Sequence, residues 1–296
     1  MDLRALLLGV SFAFMWSSAF TSARIILVDA PPIAALSLRF LVSGLLGVLI
    51  ARALGQSWRL DRRQWRATLV FGICQNALYL GLFFYAMQTI EASLASIIAA
   101  AMPLFVGLAG WIFLGDRLSG MAIVGLVLGL CGTALILGSR LTGGADLTGI
   151  AACILGTLAL TIATLSVGRA STGGNVLMVV GMQMLVGSAI LAIVAILFEP
   201  WHVVWSAQLV LAFLYTTLIS GLLATWVWFT LVNRIGAVRA ATFHFLNPFF
   251  GVAIATLVLG EKIGLLDITG VCITMIGILA VQLSKQAGAP GMPEKT

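Results

Sequence analysis

Charge is what this chain has least of. Only 9% of its 296 residues are Asp, Glu, Lys or Arg, against roughly 25% in an average soluble domain. A soluble fold of this length still needs a polar skin, and so few charges do not make one. Histidine is scarcer still, with only His202 and His244, so no His-based metal motif can be assembled. Cys74, Cys131, Cys153 and Cys272 lie singly in apolar stretches with no CxxC pair. They read as small apolar fillers, which argues against a disulfide framework or a zinc site. A nucleophile beside a base is also missing, so neither an enzyme nor a bound metal or other cofactor is expected. The last shortage is one of position: none of the ten acids falls in the middle of an apolar stretch.

Hydrocarbon fills the space instead, at 61% of residues. A membrane-spanning helix needs about 20 mostly apolar residues, because a core of about 30 Å is crossed at about 1.5 Å per residue. Ten segments qualify: 3–28, 33–54, 64–87, 92–114, 120–138, 147–169, 175–198, 206–231, 237–259 and 264–284. Short turns with breakers separate them, including Pro31, Pro32, Gly115, Pro200 and Gly260. The first segment resembles a secretory signal around Thr21, Ser22 and Ala23, but the repeat described below needs it as a span. Residues 286–296 have the composition of a disordered tail.

Lys and Arg tend to stay on the cytoplasmic side. With the N-terminus inside, twelve of the sixteen fall inside, three (Arg24, Arg140 and Lys262) fall outside, and Arg39 lies within the second segment. Both termini are therefore expected in the cytoplasm. The same topology accounts for the run RLDRRQWR, which has no stacking aromatics of a nucleic-acid module, so no nucleic-acid partner is expected.

A short charged mark, FLGDRL at 113–118, returns as VLGEKI at 258–263. Sliding the chain along itself by 145 residues aligns nine identities between Glu91 and Leu137 and their partners, among them Pro103/Pro248, Gly115/Gly260, Gly125/Gly270 and Gly132/Gly277. Asp116/Glu261 and Arg117/Lys262 keep their charge sign, and Arg24/Arg169 and Phe84/Phe229 extend the register to other segments. Five segments make one repeat, and because five is odd the second copy enters the membrane from the opposite side. The expected fold is an all-α integral membrane protein of ten transmembrane helices in two inverted five-helix repeats, 1–140 and 146–285. Such halves exchange inward-open and outward-open arrangements around a substrate near the midplane, which is alternating access in a transporter. Each charged mark reads as a left-handed glycine stop, with the acid near the start of the next helix or acting as a latch between halves.

The stretches LRFLVSGLLGVLI, NPFFGVAIATLVLGEKIGLLDITGVCITMIGILAV and MPLFVGLAGWIFLGDRLSGMAIVGLVLGLCGTALIL resemble the two EamA domains of the drug/metabolite transporter superfamily. The likeness covers nearly the whole chain. Within that superfamily the chain is similar to exporters of aromatic and other neutral amino acids. The resemblance implies a multi-pass protein of the plasma (inner) membrane with a small-molecule substrate, expected as a monomer in the lipid bilayer.

The register then proposes matched cavity walls. Phe12, Trp16 and Ala19 answer Thr157, Thr161 and Thr164, and Asn76, Tyr79 and Phe83 answer Gly221, Ala224 and Trp228. His244 and Asn247 share one face of the ninth segment, where polar groups either line a substrate path or bond between helices. The aromatic positions fit a substrate wall or ordinary packing. Arg39 either snorkels outward or meets a substrate carboxylate. Pro103 and Pro248 free a backbone carbonyl and are either flexing points or tolerated kinks. Gly125, Gly129 and Gly132, answered by Gly270, Thr274 and Gly277, mark a close helix–helix seam. The small multidrug exporters of the superfamily carry a glutamate in the first helix, and this chain has none there. With no carboxylate in the membrane, His244 is the one candidate proton relay, and gradient-driven export is the expectation; proton-coupled export of drugs or other metabolites is the alternative, and a non-transport membrane scaffold, which needs no inverted repeat, the weaker one.

Overall fold

The computed structural model describes residues 3–115, 118–167, 175–236 and 240–287. Asp116 and Arg117 of the first charged mark, Arg169, Ala237, Arg239 and the tail beyond Ala287 lie outside them, as does the side chain of Phe229. Ten helices are long and apolar enough to span a membrane: α1 Leu3–Asp29, α2 Pro32–Ala53, α3 Arg62–Ala86, α4 Ala92–Phe113, α5 Gly120–Thr142, α6 Leu147–Leu165, α7 Val176–Phe198, α8 Ala207–Val232, α9 Thr242–Leu259 and α10 Leu265–Ser284. No strand occurs among the described residues.

The pairing of helices repeats across the two halves. Contact of α1 with α8 is answered by α6 with α3, and α1 with α9 by α6 with α4, while α2 pairs with α7 and α5 with α10. Both self-answering pairs are antiparallel. Along α5 and α10, Gly125 faces Ala280, Gly129 faces Gly277, Gly132 faces Thr274 and Ile136 faces Gly270. Along α2 and α7, Ser37 and Ser188 exchange hydroxyl-to-carbonyl hydrogen bonds of 2.9 and 2.8 Å, and Gly47 faces Gly181. Lipid tails are as apolar as leucine, so close approach of small residues, not hydrophobic burial, holds such helices together.

Local geometry obeys the same symmetry. Gly115 and Gly260 both end their helices in the left-handed region, at φ 71° and 70°, where a Cβ is strained and glycine is not. Helices α4 and α9, expected as continuous spans, are interrupted. In α4 one helical segment ends at Ala100 and the next runs Met102–Leu114; in α9 a 3₁₀ turn, Thr242–Leu246, precedes the helix Asn247–Leu259. Pro103 and Pro248 sit in the first turn of each second segment, where a missing N–H leaves no hydrogen bond unmade. Helices α3 and α8 each carry a wide π turn, Gly72–Tyr79 and Tyr215–Leu223, a departure that hydropathy does not encode.

Of the two roles open to the acid of the second charged mark, the structure has the tie between halves. Rather than serving its own following helix, Glu261 accepts hydrogen bonds from Ala92 N (2.7 Å) and Ser93 N (3.0 Å) at the start of α4. The N-cap residue there, Glu91, offers no side-chain cap of its own, so the free N–H groups and positive dipole end of α4 draw the carboxylate across from the other half.

Candidate functional site

Some of the polar residues buried in the bundle, Arg39, Asn76 and Ser220 among them, line a small cavity of about 120 Å³. Its walls come from α1, α2 and α3 of the first half and α7 and α8 of the second. Of the candidates named from sequence, Trp16, Arg39, Asn76, Tyr79 and Phe83 lie on this wall, together with Ala19 and Gly221. The π turn of α3 contributes Gln75, Asn76 and Tyr79, and that of α8 contributes Ser220 and Gly221. The widened turns of the two halves thus face the same space.

Each wall residue is held differently. Asn76 donates through Nδ2 to Gln183 O at 2.9 Å, fixing α3 to α7. The Tyr79 ring packs on Phe83 at 4.7 Å, Phe83 on Phe20 at 5.9 Å and Phe20 on Trp16 at 5.4 Å, forming an aromatic arc. Tyr79 Oη, Ser220 Oγ, Arg39 Nε and nearby Ser43 Oγ are buried with no hydrogen-bond partner. Buried polar groups are rarely left so, and four of them in one neighbourhood is the chemical signature of the site.

Other sequence candidates lie elsewhere. His244 and Asn247 form a pair, the Asn247 amide Nδ2 lying 2.8 Å from His244 Nδ1. With the amide as donor, Nδ1 accepts and the imidazole proton sits on Nε2. The ring of His244 meets Phe12 and Trp228 at 5.4 Å each and Trp16 at 5.9 Å. Phe12 and Trp228 touch in turn at 4.7 Å. This aromatic plug adjoins the cavity on the side of the N-terminus, because Phe12 precedes Trp16 on α1 and Trp228 follows Thr225 on α8. Thr157 and Thr161 are off the wall: their hydroxyls bond back to Cys153 O and Thr157 O at 2.9 and 2.8 Å, one turn earlier on α6.

At the opposite end of the bundle, carboxylates tie one half to the other. Arg140 of α5 pairs with Glu91 in its own half and with Asp267 of α10 at 3.0 Å. Glu199 accepts from Ile33 N and Ala34 N at 2.8 Å each, Asp29 accepts from Ser206, and Glu261 caps α4. Arg24 donates to Met87 O. Burial raises the Glu91 carboxyl above the ordinary range, opposed by Arg140. A larger groove of about 680 Å³ runs between α3 and α7 beside the α1–α2 turn and shares no lining residue with the small cavity.

Sequence reasoning missed Phe20, Met184, Ser220 and Thr225. One signal existed for Ser220, which stands 145 residues after Gln75, so both flank an already chosen pair in the repeat register. Phe20 and Met184 carry no such mark.

A model of the EamA-like transporter family matches twice, over residues 3–138 and 147–283. An uncharacterized transporter of Bacillus subtilis, YvbV, is 25% identical over 99% of this chain and 97% of its own length. A WAT1-related chloroplastic protein of Arabidopsis thaliana is 24% identical over 92% of this chain and 68% of its own, and the PagO protein of Salmonella typhimurium is 24% identical over 94% of each. A solved crystal structure superposes with a TM-score of 0.69 at 21% identity, covering 98% of this chain and 100% of that one. Ten spans, antiparallel pairing between two similar halves and a double family match together place the chain in the EamA-like transporter family, as a multi-pass membrane transporter.

Proposed function

We propose that this transporter exports neutral, largely aromatic amino acids or similar small metabolites down their gradient, by alternating access of its halves 1–140 and 146–285. The central cavity supports this reading. It lies between the halves, its walls combine the arc of Trp16, Phe20 and Phe83 with neutral polar groups, and no Asp or Glu lines it. Aromatic rings suit an apolar side chain, and Asn, Tyr and Ser groups suit the polar end of a zwitterion. At about 120 Å³ the cavity is well below the about 300–1,000 Å³ of typical ligand sites, so transport requires it to widen. The carboxylate ties at one end and the Phe12–Trp228–His244 plug at the other are the two barriers to open in turn, with Pro103 and Pro248 at the helix breaks between them. The protein sits as a monomer in the plasma (inner) membrane with both termini cytoplasmic.

The test uses sealed vesicles containing only this protein. Labelled phenylalanine should exchange across the membrane and fail to accumulate under a pH difference. Accumulation driven by that difference refutes uncoupled transport, and its loss in His244→Ala assigns the relay. Absence of flux for every amino acid in a panel refutes the cargo.

A further inference from the structure

Arg39 is the feature of the cavity that a neutral substrate alone does not explain. Its residue is 7% exposed, it lines the cavity, and its Nε has no partner. No ion pair or hydrogen bond joins it to another described residue; its guanidinium carbon lies 5.4 Å from the ring centroid of its chain neighbour Phe40. An arginine that merely snorkels carries its head to water, and this one does not. A buried guanidinium is costly unless an anion meets it.

The surroundings are built to accept that anion. Tyr79 Oη, Ser43 Oγ and Ser220 Oγ are buried donors without acceptors. Gly221 brings the two groups together: a Cβ at that position would stand 3.2 Å from Thr216 O, 3.6 Å from Ser43 Oγ and 3.7 Å from Arg39 Nη2, so guanidinium and hydroxyl both border the same small space. A guanidinium fork with hydroxyl donors matches the two oxygens of a carboxylate. An ammonium brought to the same place meets like charge, and the cavity lining holds no carboxylate to offset it.

Taking the cavity as the substrate site proposed above, we infer that Arg39, with Tyr79, Ser43 and Ser220, forms a carboxylate-binding subsite that makes the carboxylate the obligatory recognition element and the amino group accessory. Amino acids therefore share the site with deaminated acids bearing the same side chain, and the corresponding decarboxylated amines are refused.

Two matched trios test this by ligand-induced thermal shift and calorimetry on the purified full chain: L-phenylalanine, 3-phenylpropionate and 2-phenylethylamine, and L-alanine, propionate and ethylamine. In at least one trio both carboxylates should bind about tenfold or more tightly than the amine. Arg39→Gln should bring them down to the level of the amine, and Arg39→Lys should weaken them less while keeping the ranking. The wild-type ranking needs no variant to fold. An amine that binds as tightly as its matched acid overturns the inference, as do carboxylate affinities unchanged in Arg39→Gln and failure of every carboxylate to bind. If the simple acids bind through Arg39 and the amino acids do not, the subsite stands and the amino acid reading falls. If the amino acids bind, unaffected by Arg39→Gln and matched by their amines, the subsite falls and that reading stands.

Discussion

Replacing Gly132 by Ala measures how tightly the α5–α10 seam holds the two halves together. A Cβ at this position would lie 2.7 Å from both Thr274 N and Thr274 Oγ1 and 2.8 Å from Gly270 O, where ordinary contact begins at 3.4 Å. Two of those atoms are backbone, so α10 cannot yield by turning a side chain. The helices must separate by roughly 0.6 Å, and a gap of about 0.5–1 Å forfeits a quarter to a half of each dispersion contact along the interface. The neighbouring close approaches, Gly125 against Ala280 and Gly129 against Gly277, are loosened by the same movement. Overpacking of this kind costs about 1–3 kcal/mol. Alanine also gains up to about 1 kcal/mol of helix propensity over glycine, and a control on the same helix removes that gain from the comparison. Gly138 has open space where its Cβ would be, so Gly138→Ala has the propensity gain without the clash. The two alanine variants should therefore differ by about 1–3 kcal/mol, several degrees of melting temperature at about 2–4 °C per kcal/mol for chains of 150–250 residues. Tryptophan fluorescence during heating of the detergent-solubilised protein reads the difference. Equal melting temperatures for the two variants would refute the argument that backbone contact at this seam is tight.

Glu261→Ala removes the carboxylate that caps Ala92 N and Ser93 N; loss of a cap costs about 0.5–2 kcal/mol, and the same melting assay should show it. Because burial raises the Glu91 carboxyl, acidification neutralises it before an ordinary glutamate and releases one arm of Arg140, with Asp267, Glu261 and Arg24 as the other charges acting there. A cysteine at Met87 in a cysteine-free background should then label faster with an impermeant thiol reagent as pH falls, after normalisation to unfolded protein at each pH. In Glu91→Gln labelling should be fast already at neutral pH, and a wild-type pH profile in that variant would contradict the latch. Accessibility tags at the two ends of the chain should report one side of the membrane, the cytoplasmic one; tags on opposite sides would overturn the ten-span topology.

The candidate site was legible in part. Asn76, Tyr79 and Phe83 stand out because polar and aromatic groups at helical spacing in a long apolar segment need a reason. Arg39 stands out as the one basic residue deep in a span. Thr157 and Thr161 show the same spacing, yet their hydroxyls are satisfied by carbonyls one turn back on their own helix, so a polar stripe in a membrane helix need not face a cavity. His244 and Asn247 pair with each other among aromatic rings, a contact that depends on the 3₁₀ turn placing Thr242–Leu246. Phe20 and Met184 were silent because nothing in sequence separates a ring or thioether facing the cavity from one facing a neighbouring helix.

Local chemistry sufficed for ten spans, their order, the 145-residue register and the glycine stops at 115 and 260, because spanning length, apolarity and left-handed backbone are properties of short stretches. So did the small-residue pattern of the α5–α10 seam, whose partner the register itself supplied. Only the tertiary structure decided the rotation of each helix about its axis, the π turns that bring Gln75 and Asn76 opposite Ser220 and Gly221, and the reach of Glu261 to α4 in the other half. In a membrane the outside of a helix is as apolar as its packed side, so the patterning that orients a helix in water is nearly absent. Rotation is then set by which small residues meet which backbone, and that is a property of pairs of helices distant in sequence.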